Sequence, residues 1–177
     1  DHRLVDDHHP PAAERRGPFG PIFLFREARV QAPVLGPADD RLLFVSCWGT
    51  GELRQYDVSD PFSPRLLSTI QLGGMVNRTA HPASGGRPLN GAPQMVEISR
   101  DGKRLYFTNS LYAAWDDMFY PDGVGAWLAK FDADIDGGGL SADPRFFPHG
   151  DDFRGMRVHQ TRLQGGDASS DSYCFTS

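Results

Sequence analysis

Six histidines and two cysteines are the side chains of this chain best suited to hold a transition metal or to act as a nucleophile. Imidazole ligates most first-row transition metals, so the histidines are the first place to look. His8-His9 form a pair ahead of Pro10-Pro11, in a charged stretch with no apolar periodicity. A solvated arm is favoured over a metal site there. His81 precedes Pro82, and His149 lies between Pro148 and Gly150. These turn formers place both histidines on the surface. His159 stands in Arg157-Val158-His159-Gln160, shortly before Gly165-Gly166-Asp167. Cys47 and Cys174 match no metal-ligand spacing and could form one disulfide at most. A free cysteine at a strand end beside a tryptophan, as Cys47 is beside Trp48, is usually a small buried apolar residue. Reactivity would require an electropositive setting.

Paired carboxylates are the other chemical candidates. Asp116-Asp117 and Asp151-Asp152 could serve general acid–base work, but that role needs convergent geometry and shifted pKa values, and solvated loops are the simpler reading. Asp132-Ala133-Asp134-Ile135-Asp136-Gly137 has the start of a calcium-loop pattern, yet the twelfth position is Asp143 and not the required glutamate. Gly137-Gly138-Gly139 lacks the Lys-Ser/Thr that completes a phosphate loop. Trp48, Trp127 and Trp115 read as packing residues, with Trp115 in a position to line a pocket mouth.

The elements that must position these residues are short strands. The chain of 177 residues carries 20 Gly and 14 Pro scattered along its length, which excludes a helical bundle, because each is costly in a helix interior. Its 39% hydrophobic share is too high for a disordered chain. The formal charge of −5 comes from dispersed residues, so no basic stripe for nucleic acid exists. No apolar run approaches the roughly 20 residues that span a bilayer. The first residues, Asp1-His2-Arg3, include no initiator Met and no signal pattern, so the natural N-terminus is expected to be missing. Cytoplasm and periplasm both stay open as compartments.

Residues 1–36 read as an irregular segment, with Ile22-Phe23-Leu24-Phe25 as a possible short strand. From there on the chain repeats itself. Arg41-Leu42-Leu43-Phe44-Val45-Ser46 has its counterpart in Arg104-Leu105-Tyr106-Phe107-Thr108-Asn109, each after an Asp-containing turn. A second strand ending in aromatic-Asp follows each: Leu53 to Val58 and Trp127 to Ala133. The later unit carries an insertion that includes Tyr112 to Gly123. Leu66 to Leu72 supplies a further strand, as does Met95 to Ser99, whose alternation has the period of two. Residues 73–93 form a long Gly/Pro/Asn-rich loop, of a length that is usually functional or disordered. Such units suit the blades of an all-β propeller, which needs four to eight blades to close its ring. Residues 37–177 supply too few, so the chain is expected to be a fragment.

Phe44-Val45-Ser46-Cys47-Trp48-Gly49-Thr50-Gly51-Glu52-Leu53-Arg54-Gln55-Tyr56-Asp57-Val58-Ser59-Asp60-Pro61 closely resembles a segment of the selenium-binding protein / methanethiol oxidase family. So do Gly91-Ala92-Pro93-Gln94-Met95, Ser110-Leu111-Tyr112-Ala113-Ala114-Trp115-Asp116, Phe119-Tyr120-Pro121-Asp122 and Gly165-Gly166-Asp167-Ala168-Ser169-Ser170-Asp171. The blocks fall in the family's order from about Asp39 to the end, whereas residues 1–36 do not match. The resemblance implies the C-terminal blades of a seven-bladed propeller. It implies, for the intact protein, copper-dependent oxidation of methanethiol by oxygen and water to formaldehyde, hydrogen sulfide and hydrogen peroxide. Its partners would be the small thiol, oxygen and the missing N-terminal blades, with no nucleic acid and no membrane span.

His159 is the one metal ligand the resemblance implies, because the family has a histidine just before the Gly-Gly-Asp block that could face the central channel. Mammalian relatives carry Glu after it, where this chain has Gln160. The remaining copper ligands are expected from the absent blades. The selenium-reactive cysteine attributed to the family also belongs there, so that role does not pass to Cys47. Ala168 stands where some relatives have a cysteine, which argues against an essential thiol at that place. A non-catalytic propeller that binds selenium or protein, and an inactive fragment, are the alternatives.

Overall fold

The computed structural model describes residues 30–35, 41–75, 78–99, 101–110 and 112–162. Runs rich in β-branched and aromatic residues between turn formers become strands: β1 Val30–Leu35, β2 Leu42–Cys47, β3 Glu52–Asp57, β4 Arg65–Gln71, β5 Val96–Ile98, β6 Arg104–Thr108, β7 Leu128–Asp134 and β8 Gly139–Ala142. They form two antiparallel four-stranded meanders, ordered β1-β2-β3-β4 and β5-β6-β7-β8. The fold is all-β apart from one short helix, α1 Ala113–Phe119, and two 3₁₀ turns, Pro82–Ser84 and Gly150–Phe153. The Leu66–Leu72 and Met95–Ser99 expectations correspond to β4 and β5. β1 lies within the segment read as irregular. Pro33, which has no N–H to donate, fits its place on a sheet edge.

The two sheets stack like on like, β1 against β5 and β4 against β8. Alternate residues of β2 and β3, Leu42, Phe44 and Leu53, enter one core with Val96, Ile98, Leu105, Phe107, Ala129 and Phe131 of the second sheet. The opposite face of the first sheet buries Val45, Cys47 and Tyr56. Tyr106 and Leu128, on the far face of the second sheet, pack against Phe146 and Phe153. Val96 and Ile98 enter the shared core, as the period-two reading of β5 implies, and Glu97 on the opposite face is buried as well, as in sheets covered on both sides.

A bulge in β4 at Leu67, opposite the Gln55–Tyr56 step of β3, accompanies a polar link between the sheets. The buried Gln55 donates from Nε2 to Asp134 O (3.0 Å) and accepts from Gly139 N (2.7 Å), so β3 grips the β7–β8 hairpin by its backbone. Arg41 donates to Ile135 O in the same hairpin. Asp134 itself accepts from the N–H groups of Asp136 and Gly137, which makes the partial calcium pattern a hairpin turn.

Register places the long connections together. Residues 48–51, 72–95, 109–127 and 143–162 all emerge at one end of the sheets, whereas the opposite end has the short turns 58–64, 99–103 and 135–138. Asn109 ties this loop end together. Its amide donates to Asn90 O (3.3 Å) and Gly125 O (2.7 Å), and its Oδ1 accepts from Trp127 N (3.0 Å). Gly73, at φ +61°, lies so close to Gly91 that a Cβ would stand 2.2 Å from the Gly91 carbonyl oxygen. Only glycine allows that approach.

Candidate functional site

Loops carried by a rigid scaffold are where binding and catalytic residues concentrate, and His159 lies on this loop end. It is exposed, but its position is fixed at two points by the end of β6. Thr108 Oγ1 donates to His159 O (2.6 Å), and the ring Nδ1 lies 2.8 Å from Ser110 O. A carbonyl oxygen can only accept, so Nδ1 carries the proton and the neutral ring keeps its lone pair on Nε2. That is the arrangement in which metal-binding histidines are oriented by a backbone carbonyl.

Ser110 is held in turn by α1. Its hydroxyl donates to Asp116 Oδ2 (2.9 Å), and Asp116 is completely buried. Arg157 donates to the same carboxylate oxygen (2.9 Å) and to Asp117 Oδ1 (2.5 Å). The segment that carries His159 is thereby clamped to the helix two residues before the ring. The expectation that Asp116-Asp117 is a solvated pair needs correction for Asp116, because the helix within the insertion turns it inward onto Ser110. Tyr112 and His159 have ring centroids 6.4 Å apart, and Trp115 on α1 is 48% exposed.

His81 also departs from expectation: it is 1% exposed. The reason is local. It caps the Pro82–Ser84 turn by accepting at Nδ1 from Ala83 N (3.1 Å), and its ring stacks on Phe147 at 4.0 Å. Nδ1 is occupied, so Nε2 holds the proton; Nε2 is buried and has no hydrogen-bond partner among the described residues. His81 therefore has no lone pair to offer a metal. His149 is exposed, as expected, and stacks on Phe147 at 4.9 Å with Nδ1 donating to Phe147 O (2.9 Å). Asp151 and Asp152 are also exposed. Asp152 accepts from His149 N (2.8 Å).

Cys47 is buried, and that burial pushes its thiol pKa up, against the charge of Arg54 and with that of Glu52. The thiolate needed for nucleophilic or selenium chemistry is disfavoured there. Trp48 and Trp127 are both core residues; Trp127 Nε1 donates to Asn90 O (2.8 Å). His8, His9, Ile22-Phe23-Leu24-Phe25, Ala168 and Cys174 lie outside the described residues. Among the described residues no three His, Cys, Asp or Glu side chains gather where they could hold a metal. The donor set present offers single imidazoles, His159 and in the same way the exposed His149, whose Nδ1 also donates to a backbone carbonyl, and not a whole centre.

Residues 33–174 match the model of the 56 kDa selenium-binding protein family. The chain belongs to this family. The family's curated members include a methanethiol oxidase of Homo sapiens, 41% identical over 157 residues, and that of Xenopus tropicalis, 40% identical over 158 residues. Each alignment covers 78% of this chain and 33% of the relative. Selenium-binding protein 3 of Arabidopsis thaliana is 41% identical over 152 residues, 75% of this chain and 32% of that protein. The chain thus spans about a third of the length of the curated relatives it matches. The X-ray structure of a hypothetical selenium-binding protein from Sulfolobus tokodaii superimposes with a TM-score of 0.70 at 51% identity, covering 83% of this chain and 31% of that one.

The resemblance points to His159, and nothing in it points to the clamp around that residue. Ser110 and Asp116 stand inside one quoted family block, so their proximity was legible. Arg157 is 41 positions from Asp116, and nothing in the sequence links them.

Proposed function

We propose that this chain is the part of a copper-dependent methanethiol oxidase that supplies the ligand His159, at the loop end of two blades of a larger propeller. The reaction converts methanethiol, oxygen and water into formaldehyde, hydrogen sulfide and hydrogen peroxide. The observation that carries this reading is the Nδ1–H of His159 on the Ser110 carbonyl, which leaves Nε2 as a donor on an exposed ring. Membership of a family that includes methanethiol oxidases supports the substrate. The stacking of like strands and the gathering of long connections at one end support the propeller.

Copper, when bound, supplies the one-electron chemistry through which oxygen reacts with a thiol. This chain's residues orient and surround the site. Ser110 fixes the His159 proton at Nδ1, and Thr108 anchors the His159 backbone. Tyr112 gives the ring an aromatic neighbour suited to the methyl group of a small thiol.

The test supplies copper and methanethiol to the intact protein and follows hydrogen sulfide and hydrogen peroxide. Both products are expected, and His159→Ala is expected to abolish both. If the copper-loaded protein makes neither, the oxidase reading fails. The second reading, a non-catalytic selenium-binding propeller, is favoured by the name of the Arabidopsis relative and would then take its place.

A further inference from the structure

α1 is the difference between the two sheets. The β2–β3 connection is a four-residue turn, Trp48 to Gly51, whereas the β6–β7 connection carries the helix. Fewer than eight residues long and with no side-chain cap, α1 has little stability of its own. Its Asp116 is the exception to its exposed character: a carboxylate with no exposed surface, which accepts from Ser110 Oγ and Arg157 Nη1, each at 2.9 Å. Burying a carboxylate is costly unless it is paired and hydrogen-bonded, and these two partners lie on segments that hold His159. Ser110 presents the carbonyl that receives the ring N–H, and Arg157 is two residues before the ring. Arg157 reaches Asp117 and Ala113 O of the same helix as well.

We infer that Asp116, through Ser110 and Arg157, is a positioning residue that fixes the tautomer and orientation of His159. The carboxylate draws the Ser110 hydroxyl to one side and the Arg157 guanidinium to the other. The Ser110 carbonyl is left facing the ring, and the backbone around His159 cannot swing away. If the clamp is lost, the Nδ1–H···O bond is no longer enforced and the proton distributes between the two nitrogens, so Nε2 presents its lone pair only part of the time. Orientation of this kind is typically worth about 10–100-fold in metal affinity. The inference rests on the reading of His159 as a ligand only for its effect on copper.

The test uses the intact protein with ¹³C,¹⁵N-labelled histidine. In the metal-free state the imidazole shifts are expected to report a single Nδ1–H tautomer for His159, and mixed tautomers in Asp116→Asn. Ser110→Ala removes only the hydroxyl and stands in if Asp116→Asn fails to fold. Arg157→Lys, which keeps the charge, is expected to retain the tautomer in part. Copper affinity from competition with a chelator should fall about tenfold in Asp116→Asn. An unchanged tautomer in both Asp116→Asn and Ser110→Ala overturns the clamp, whatever copper does. Unchanged copper affinity in His159→Ala overturns instead the ligand reading, and the tautomer measurement still judges the clamp.

Discussion

The backbone occupies Nδ1 of both His81 and His159, but in opposite senses: Ala83 donates to the first and Ser110 accepts from the second. The first ring is consequently a buried structural group, and the second is a candidate ligand. Burial is the largest cause that lowers the His81 pKa below 6.5; the nearby charge of His149 adds to it, and Asp143 opposes it. Above that pH the ring is neutral in both folded and unfolded chains and adds no pH dependence. As pH falls through the unfolded value, the unfolded chain takes up a proton that the folded ring resists, and stability drops until the folded pKa is passed. Thermal melts of the intact protein should therefore show Tm falling between about pH 7 and pH 5. His81→Asn, whose side-chain oxygen can still cap the turn, should fall less steeply. Equal slopes would remove His81 from the explanation.

Strands and their turns were readable from local patterns, and the contact between sheets was not. Gln55 lies in a stretch that reads as an ordinary half-buried strand, yet its amide meets both a carbonyl and an N–H of the β7–β8 hairpin, 79 and 84 positions away. Gln55→Leu keeps much of the volume but leaves Asp134 O and Gly139 N without those bonds. A hydrogen bond lost at a part-buried group costs about 0.5–1.5 kcal/mol, so the variant should lose about 1–3 kcal/mol in urea unfolding. A loss of less than about 0.5 kcal/mol would mean that the sheets do not depend on this link. The α1 insertion follows the same logic. Its position was legible as extra residues between two repeated strands, but its function as a clamp required the return of 157–159 to its side.

At the scale of the whole molecule, one oriented imidazole is not a copper centre. Among the described residues no group of three His, Cys, Asp or Glu side chains gathers around His159, and the chain covers about a third of its relatives' length. The 177-residue chain alone should then bind copper weakly, with a dissociation constant in about the micromolar range or above, compared with the tight complex expected of the intact protein. Equilibrium dialysis with copper decides this. A tight one-to-one complex of the isolated chain would mean that its own residues complete the centre.

The sequence by itself determined the all-β class, the repeat of strand pairs, the place of the insertion and the family, because these depend on residue type and short-range order. It pointed to His159 through resemblance. It misjudged His81 and Asp116, since a histidine before proline and a pair of aspartates look alike whether they face water or a partner. Only the tertiary structure decided those two, by stacking Phe147 on one and bringing Arg157 to the other. The physical reason is the same in both: burial of a polar side chain depends on a partner distant in the chain, and local sequence carries no record of it.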